Sequence, residues 1–129
     1  MKNNDRILLV CDDKVVRRHY LESLASISRN VEFVGDGDEA LQAIEQQPFD
    51  LVMLDIRFPE TALRAVKQKS PDSEVVVMTS SPNLAGAKEA VRLGAYDYVA
   101  KPVGPHEMID LSRAALTHKS WALHVEQRL

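Results

Sequence analysis

Three stretches of the chain are apolar with no alternation: Ile7-Leu8-Leu9-Val10, Leu51-Val52-Met53-Leu54 and Val75-Val76-Val77-Met78. Unbroken runs of this length suit strands buried on both faces, as in a parallel sheet covered by helices. Val31-Glu32-Phe33-Val34 alternates, which predicts an edge strand with one exposed face. Tyr98-Val99-Ala100 predicts a short last strand. Between these runs the apolar period changes. Val16, Tyr20, Leu24 and Ile27 recur at spacings of four, four and three, the stripe of an amphipathic helix. Gly35-Asp36-Gly37-Asp38 is a turn able to cap a helix that carries Ala40, Leu41 and Ile44 inward, and Pro48 stops that helix. Thr61 to Lys69 predicts a short helix with Leu63 and Val66 on one side. Leu84, Ala87, Ala90 and Val91 mark the next, with Gly94 as its C-terminal stop. Gly104-Pro105 opens a final helix bearing Met108, Leu111 and Ala115. Strands and helices alternating in this way predict an α/β fold, a five-stranded parallel sheet with helices on both faces.

The polar residues then fall in one kind of place. Asp12 and Asp13 follow the first strand, Asp55 the third, Thr79 the fourth and Lys101 the fifth. In a parallel sheet these ends share one edge, the rim where ligands bind in open α/β folds. A charge within the core would be costly, so Asp55 is expected at the carboxyl end of its strand, in a loop crevice. Three carboxylates brought close repel one another until a proton or a cation settles them. A hard divalent cation with oxygen ligands is the natural partner, and Mg²⁺ suits few carboxylates plus waters and a phosphoryl oxygen. Lys101 is a point charge able to reach a phosphate or carboxylate, and Thr79 can donate a hydrogen bond to a phosphoryl oxygen.

Composition narrows the class. The chain has 129 residues, enough for one self-sufficient core. A net charge of −3 argues against a nucleic-acid-binding surface, which needs a basic stripe. The one cysteine, Cys11, cannot form an internal disulfide and fits a reducing compartment. Met1-Lys2-Asn3-Asn4-Asp5 lacks the apolar core of a signal peptide, and no apolar run approaches bilayer length, so a cytoplasmic location is expected.

The acidic pair Asp12-Asp13, the strand-terminal Asp55, the Thr79 hydroxyl, the aromatic Tyr98 and Lys101-Pro102 stand in this order and at these spacings. Together they resemble the receiver domain of two-component response regulators over residues 5–116. The resemblance implies a doubly wound, flavodoxin-like sheet in the order 2-1-3-4-5. It implies that Asp55 takes a phosphoryl group from a histidine kinase or phosphotransfer protein, so that the domain catalyses its own phosphorylation and dephosphorylation and nothing else. Asp13 and Asp55 would bind Mg²⁺ directly, Asp12 through water, and the backbone carbonyl of Arg57 would complete the protein ligands. Lys101 would pair with Asp55 at rest, and the Lys101-Pro102 bond would be cis. After phosphorylation Thr79 would move toward Asp55, Tyr98 would fill the space, and the surface from Leu84 to Ala115 would change for its partners. The domain is expected to span residues 1–116, with 117–129 a helical extension or the start of a linker to an effector domain beyond Leu129. Trp121, Leu123 and Val125 read as one face of a helical extension, a homodimer contact or a disordered end.

Three features depart from that pattern. Glu60-Thr61-Ala62 leads straight from Pro59 into Leu63, so the third loop is short and helix three is expected to start differently or fray. Arg57 places a bulky cation two residues after Asp55 and is expected to affect the lifetime of an acyl phosphate. Cys11 stands where the family has an aliphatic residue and reads as a small buried hydrophobe. His19, His106, His118 and His124 read as surface or tail residues. The competing functions are a phosphorylation-independent interaction module and an aspartyl-nucleophile phosphatase. The second needs an acid where Arg57 stands. A flavin module is opposed by Asp12 and Asp13, which would repel phosphate.

Overall fold

The computed structural model describes residues 3–128, with side chains to Ser120. Ten elements alternate along the chain: β1 (Asn3–Cys11), α1 (Lys14–Ala25), β2 (Ser28–Val34), α2 (Gly37–Gln46), β3 (Leu51–Asp55), α3 (Pro59–Lys69), β4 (Glu74–Thr79), α4 (Leu84–Arg92), β5 (Asp97–Ala100) and α5 (Pro105–Arg128). The sheet runs β2-β1-β3-β4-β5 and every pairing is parallel. β3 is the central strand, buried at all five positions. Each fully buried Leu, Val or Met side chain there contributes about 1.5–3 kcal/mol.

Alternation along the strands sorts side chains into two cores. Ile7, Leu9, Cys11, Leu51, Met53, Val76 and Met78 pack with Tyr20 and Leu24 of α1 and Met108, Ala115 and Leu116 of α5. Leu8, Val10, Val52, Leu54, Val75 and Val77 face the other way, onto Ala40 and Ile44 of α2, Leu63 and Val66 of α3, and Ala90 of α4. β2 is an edge strand with mostly exposed positions, and the Arg17 guanidinium lies 4.4 Å from the centre of its Phe33 ring.

α3 begins two residues earlier than its periodicity predicts, at Pro59, and it is helical rather than frayed. Proline fits the first helical position because its missing N–H would have no partner there. The short loop is closed by Phe58, whose φ of 52° and ψ of 60° are left-handed and whose side chain is 80% exposed. A bulky residue in that region is strained. α4 ends as the sequence suggests, on Gly94 at φ +91°. There the Ala95 N–H donates to the Ala90 carbonyl and the Gly94 N–H to the Val91 carbonyl, the paired bonds of a glycine-terminated helix.

α5 continues through the predicted extension as one helix to Arg128. Lys119 pairs with Asp50 at 2.8 Å, and His118 lies 3.1 Å from Glu74 and against the Tyr96 ring. These contacts tie the helix to the amino-terminal edge of the sheet. His19, His106 and His118 are all exposed, and His118 is in addition engaged with Glu74 and Tyr96. His124 and the proposed Trp121, Leu123 and Val125 face lie outside the described side chains. Among the described residues no helix is long and apolar enough to cross a membrane.

Candidate functional site

Asp55 is the last residue of β3 and only 5% exposed. It shares its face with Leu51 and Met53, so its carboxylate points to the α1 and α5 side of the sheet, at the rim. Two donors reach it from opposite sides. Lys101, just past β5, donates from Nζ to Oδ1 at 2.8 Å. Cys11, the last residue of β1 and the register partner of Asp55, donates from Sγ to Oδ2 at 3.6 Å. Burial alone would lower the Lys101 ammonium, but the Asp55 hydrogen bond and charge outweigh it and hold the group above its ordinary range. The Lys101-Pro102 bond is cis.

Burial pushes the Cys11 thiol up to about 11, with the Asp55 charge acting in the same direction against a lowering contact from the Asp13 backbone. Tyr20, on the α1 face, is raised by burial and then by the charges of Asp55, Cys11 and Asp13. Cys11, Tyr20 and Lys101 therefore hold their protons more tightly folded than unfolded. The folded state binds more protons over this range, and stability must fall as pH rises. Urea midpoints should drop between pH 9, the ordinary thiol value, and about 11. Cys11→Ser should flatten the early part of that drop; a midpoint constant across the window would contradict the buried thiol.

Asp13 caps α1, its Oδ1 accepting from the N–H groups of Val15 and Val16 at 2.9 and 3.2 Å. Asp12 is exposed and lines a groove of about 580 Å³ between α2 and α3, together with Asp36, Asp38, Leu41, Arg57 and Phe58. The Arg57 side chain is exposed. Among the described residues no three His, Cys, Asp or Glu side chains are grouped closely enough to hold a metal ion. Mg²⁺, however, is commonly held by one or two carboxylates with waters and phosphate oxygens. Among the described residues, no hydrogen bond reaches Asp13 Oδ2, and Asp55 Oδ2 accepts from the weak Cys11 thiol. That donor set fits a hard cation.

Thr79 closes a turn, its Oγ1 accepting from the Ser81 N–H at 3.1 Å. Tyr98 packs on the α4 side, and its hydroxyl accepts from the Asn83 N–H at 3.3 Å. A Cβ at Gly86 would meet the Tyr98 hydroxyl at 2.6 Å. Exchanging a helical glycine for alanine ordinarily stabilises, by up to about 1 kcal/mol in a helix interior. Gly86→Ala should lose that gain and shift the Tyr98 ring resonances, as NMR and urea titration would record; a stabilised variant with unmoved resonances would place the ring elsewhere.

The structure thus brings Asp55 and Lys101 into contact, and Asp12 and Arg57 onto one groove, while Thr79 bonds within its own turn and Tyr98 reaches from β5 to the start of α4. Cys11 and Tyr20 are buried in the core, as their apolar reading expects, but sequence reading missed that the Cys11 thiol also reaches Asp55. One signal was available for Cys11: it ends the strand beside the one that Asp55 ends.

A central strand of an all-parallel 2-1-3-4-5 sheet, ending on a buried carboxylate that a lysine meets from the last strand, defines a signalling receiver. The chain belongs to the response regulator receiver domain family, whose model matches residues 7–113. It is 37% identical over 98 residues to the regulatory protein LuxO of Vibrio cholerae, covering 73% of this chain and 22% of LuxO. It is 31% identical over 123 residues to the transcriptional regulatory protein ZraR of Escherichia coli, covering 92% of this chain and 28% of ZraR. NtrX from Brucella abortus superposes with a TM-score of 0.87 at 28% identity, over 97% of this chain and 29% of that one. The chain spans less than a third of the length of each of these three proteins.

Proposed function

We propose that this domain is a phosphoacceptor switch in which Asp55 takes a phosphoryl group from the phosphohistidine of a sensor histidine kinase or a phosphotransfer protein. The observation that carries this reading is the nearly buried Asp55 carboxylate with the Lys101 ammonium 2.8 Å from one oxygen. An oxygen of Asp55 attacks phosphorus, the P–N bond breaks, its electron pair goes to the departing imidazole, and Asp55 becomes an acyl phosphate. Lys101 is already placed where negative charge accumulates and needs no large rearrangement to meet the phosphoryl oxygens. Asp13 and Asp55, with Asp12 through water and the Arg57 carbonyl, would hold Mg²⁺. When bound, that ion supplies charge neutralisation on the transferring group.

Thr79 and Tyr98 are the switch residues in this reading. Tyr98 rests on the first turn of α4 through Asn83, so a Thr79 drawn toward phosphorylated Asp55 would free space for the ring to follow. The face from Leu84 to Ala115 would then change for its partners. An effector domain beyond Leu129 and a homodimer are outputs this face could serve. The exposed Arg57 would influence the acyl phosphate lifetime.

Acetyl phosphate with Mg²⁺ should add one phosphoryl group, mapped by mass spectrometry to Asp55 and absent with a chelator. No incorporation, with the fold intact, would leave a phosphorylation-independent interaction module.

A further inference from the structure

We infer that Cys11 is a positioning residue for Asp55, a thiol that donates to the carboxylate and favours the unphosphorylated state. The inference rests on the phosphoacceptor reading above for its kinetic consequence, but not for the contact itself.

Parallel register makes Cys11 and Asp55 direct neighbours at the ends of β1 and β3, so both side chains point to the same face. The thiol is fully buried and lies 3.6 Å from Oδ2, while Lys101 holds Oδ1 at 2.8 Å. The carboxylate is therefore gripped from the β1 side and the β5 side. An aliphatic residue at position 11 would supply packing but no donor. Sγ also has a second acceptor in reach, the Asp13 carbonyl at 3.5 Å. A hydrogen bond to a charged carboxylate is stronger than one to a neutral acceptor. When Asp55 becomes an acyl phosphate its carboxyl group loses its own charge, and the thiol then does better at the Asp13 carbonyl. The bond thus stabilises the resting carboxylate more than the ester, and it ties the charge of Asp55 to the backbone that starts α1.

The chain holds a single cysteine, so one S–H stretching band in the infrared reports this bond alone. In the metal-free protein, Asp55→Asn should move that band to higher frequency, since the neutral amide accepts more weakly. With acetyl phosphate and Mg²⁺, Cys11→Ala and Cys11→Val should both be phosphorylated about two- to fivefold faster than the parent, as expected for losing a weak ground-state bond. Cys11→Ser, which restores a stronger donor, should be no faster than the parent. Ala and Val differ in size but share the missing donor, so a packing role would separate them and slow both. An S–H band unmoved by Asp55→Asn overturns the inference, as does failure of Ala and Val to speed up together. If acetyl phosphate labels no protein at all, the phosphoacceptor reading fails, and the infrared comparison still decides the contact.

Discussion

Asp55→Asn will take up no phosphoryl group from acetyl phosphate, and Lys101→Ala will take it up about 10²–10³-fold more slowly than the parent. The two losses differ in kind. Asparagine removes the nucleophile, since an amide oxygen cannot form the acyl phosphate and no other described carboxylate ends a strand in the same buried setting. Alanine at position 101 leaves the nucleophile but removes the charge already 2.8 Å from it, so the developing negative charge meets no fixed counterpart. Time courses read by phosphate-affinity electrophoresis would separate a flat trace from a slowed one. Full labelling of the Asp55→Asn protein would move the acceptor elsewhere.

The same two variants should rank the other way in stability. Lys101→Ala leaves the Oδ1 of a carboxylate that is 5% exposed without its donor and counter-charge, at a penalty of about 1–3 kcal/mol. Asp55→Asn leaves a neutral amide in that place, and the Lys101 side chain, 23% exposed, can turn toward water. Its stability should stay within about 1 kcal/mol of the parent. Removing the buried member of a pair is cheaper than removing its partially solvated partner, because desolvation falls on the charge left inside. Urea titrations in metal-free buffer at neutral pH measure both. An Asp55→Asn protein less stable than Lys101→Ala would mean that the carboxylate is solvated and the ammonium is the buried group.

The strained turn at Phe58 and the early start of α3 follow from one local cause. Only Ile56, Arg57 and Phe58 separate the end of β3 from the start of α3, so the chain has few residues in which to leave the strand and enter a helix. It does so by placing Phe58 in the left-handed region and starting α3 on the proline. The exposed ring at this turn borders the groove that also holds Asp12 and Arg57. The short loop thus shapes one wall of that groove, while the sheet keeps its 2-1-3-4-5 order.

Hydrophobic order alone determined the class of fold. Runs such as Leu51 to Leu54, with no polar position, suit strands covered on both faces, and Pro48, Gly94 and Pro105 mark helix limits through backbone constraints that act locally. The positions of Asp12, Asp13, Asp55, Thr79 and Lys101 at strand ends were equally legible, because parallel strands place all such ends on one edge. Tertiary structure alone decided which of these side chains touch. Asp13 turned to cap α1 and Thr79 closed its own turn, each taking a partner two residues on, while Tyr98 settled on the start of α4, 15 residues away. The two groups that hold Asp55 come from β1 and from beyond β5, 44 and 46 residues away. Contacts over such separations depend on register and on which face each residue takes, and pairing is specified by the whole sheet rather than by any single stretch of it.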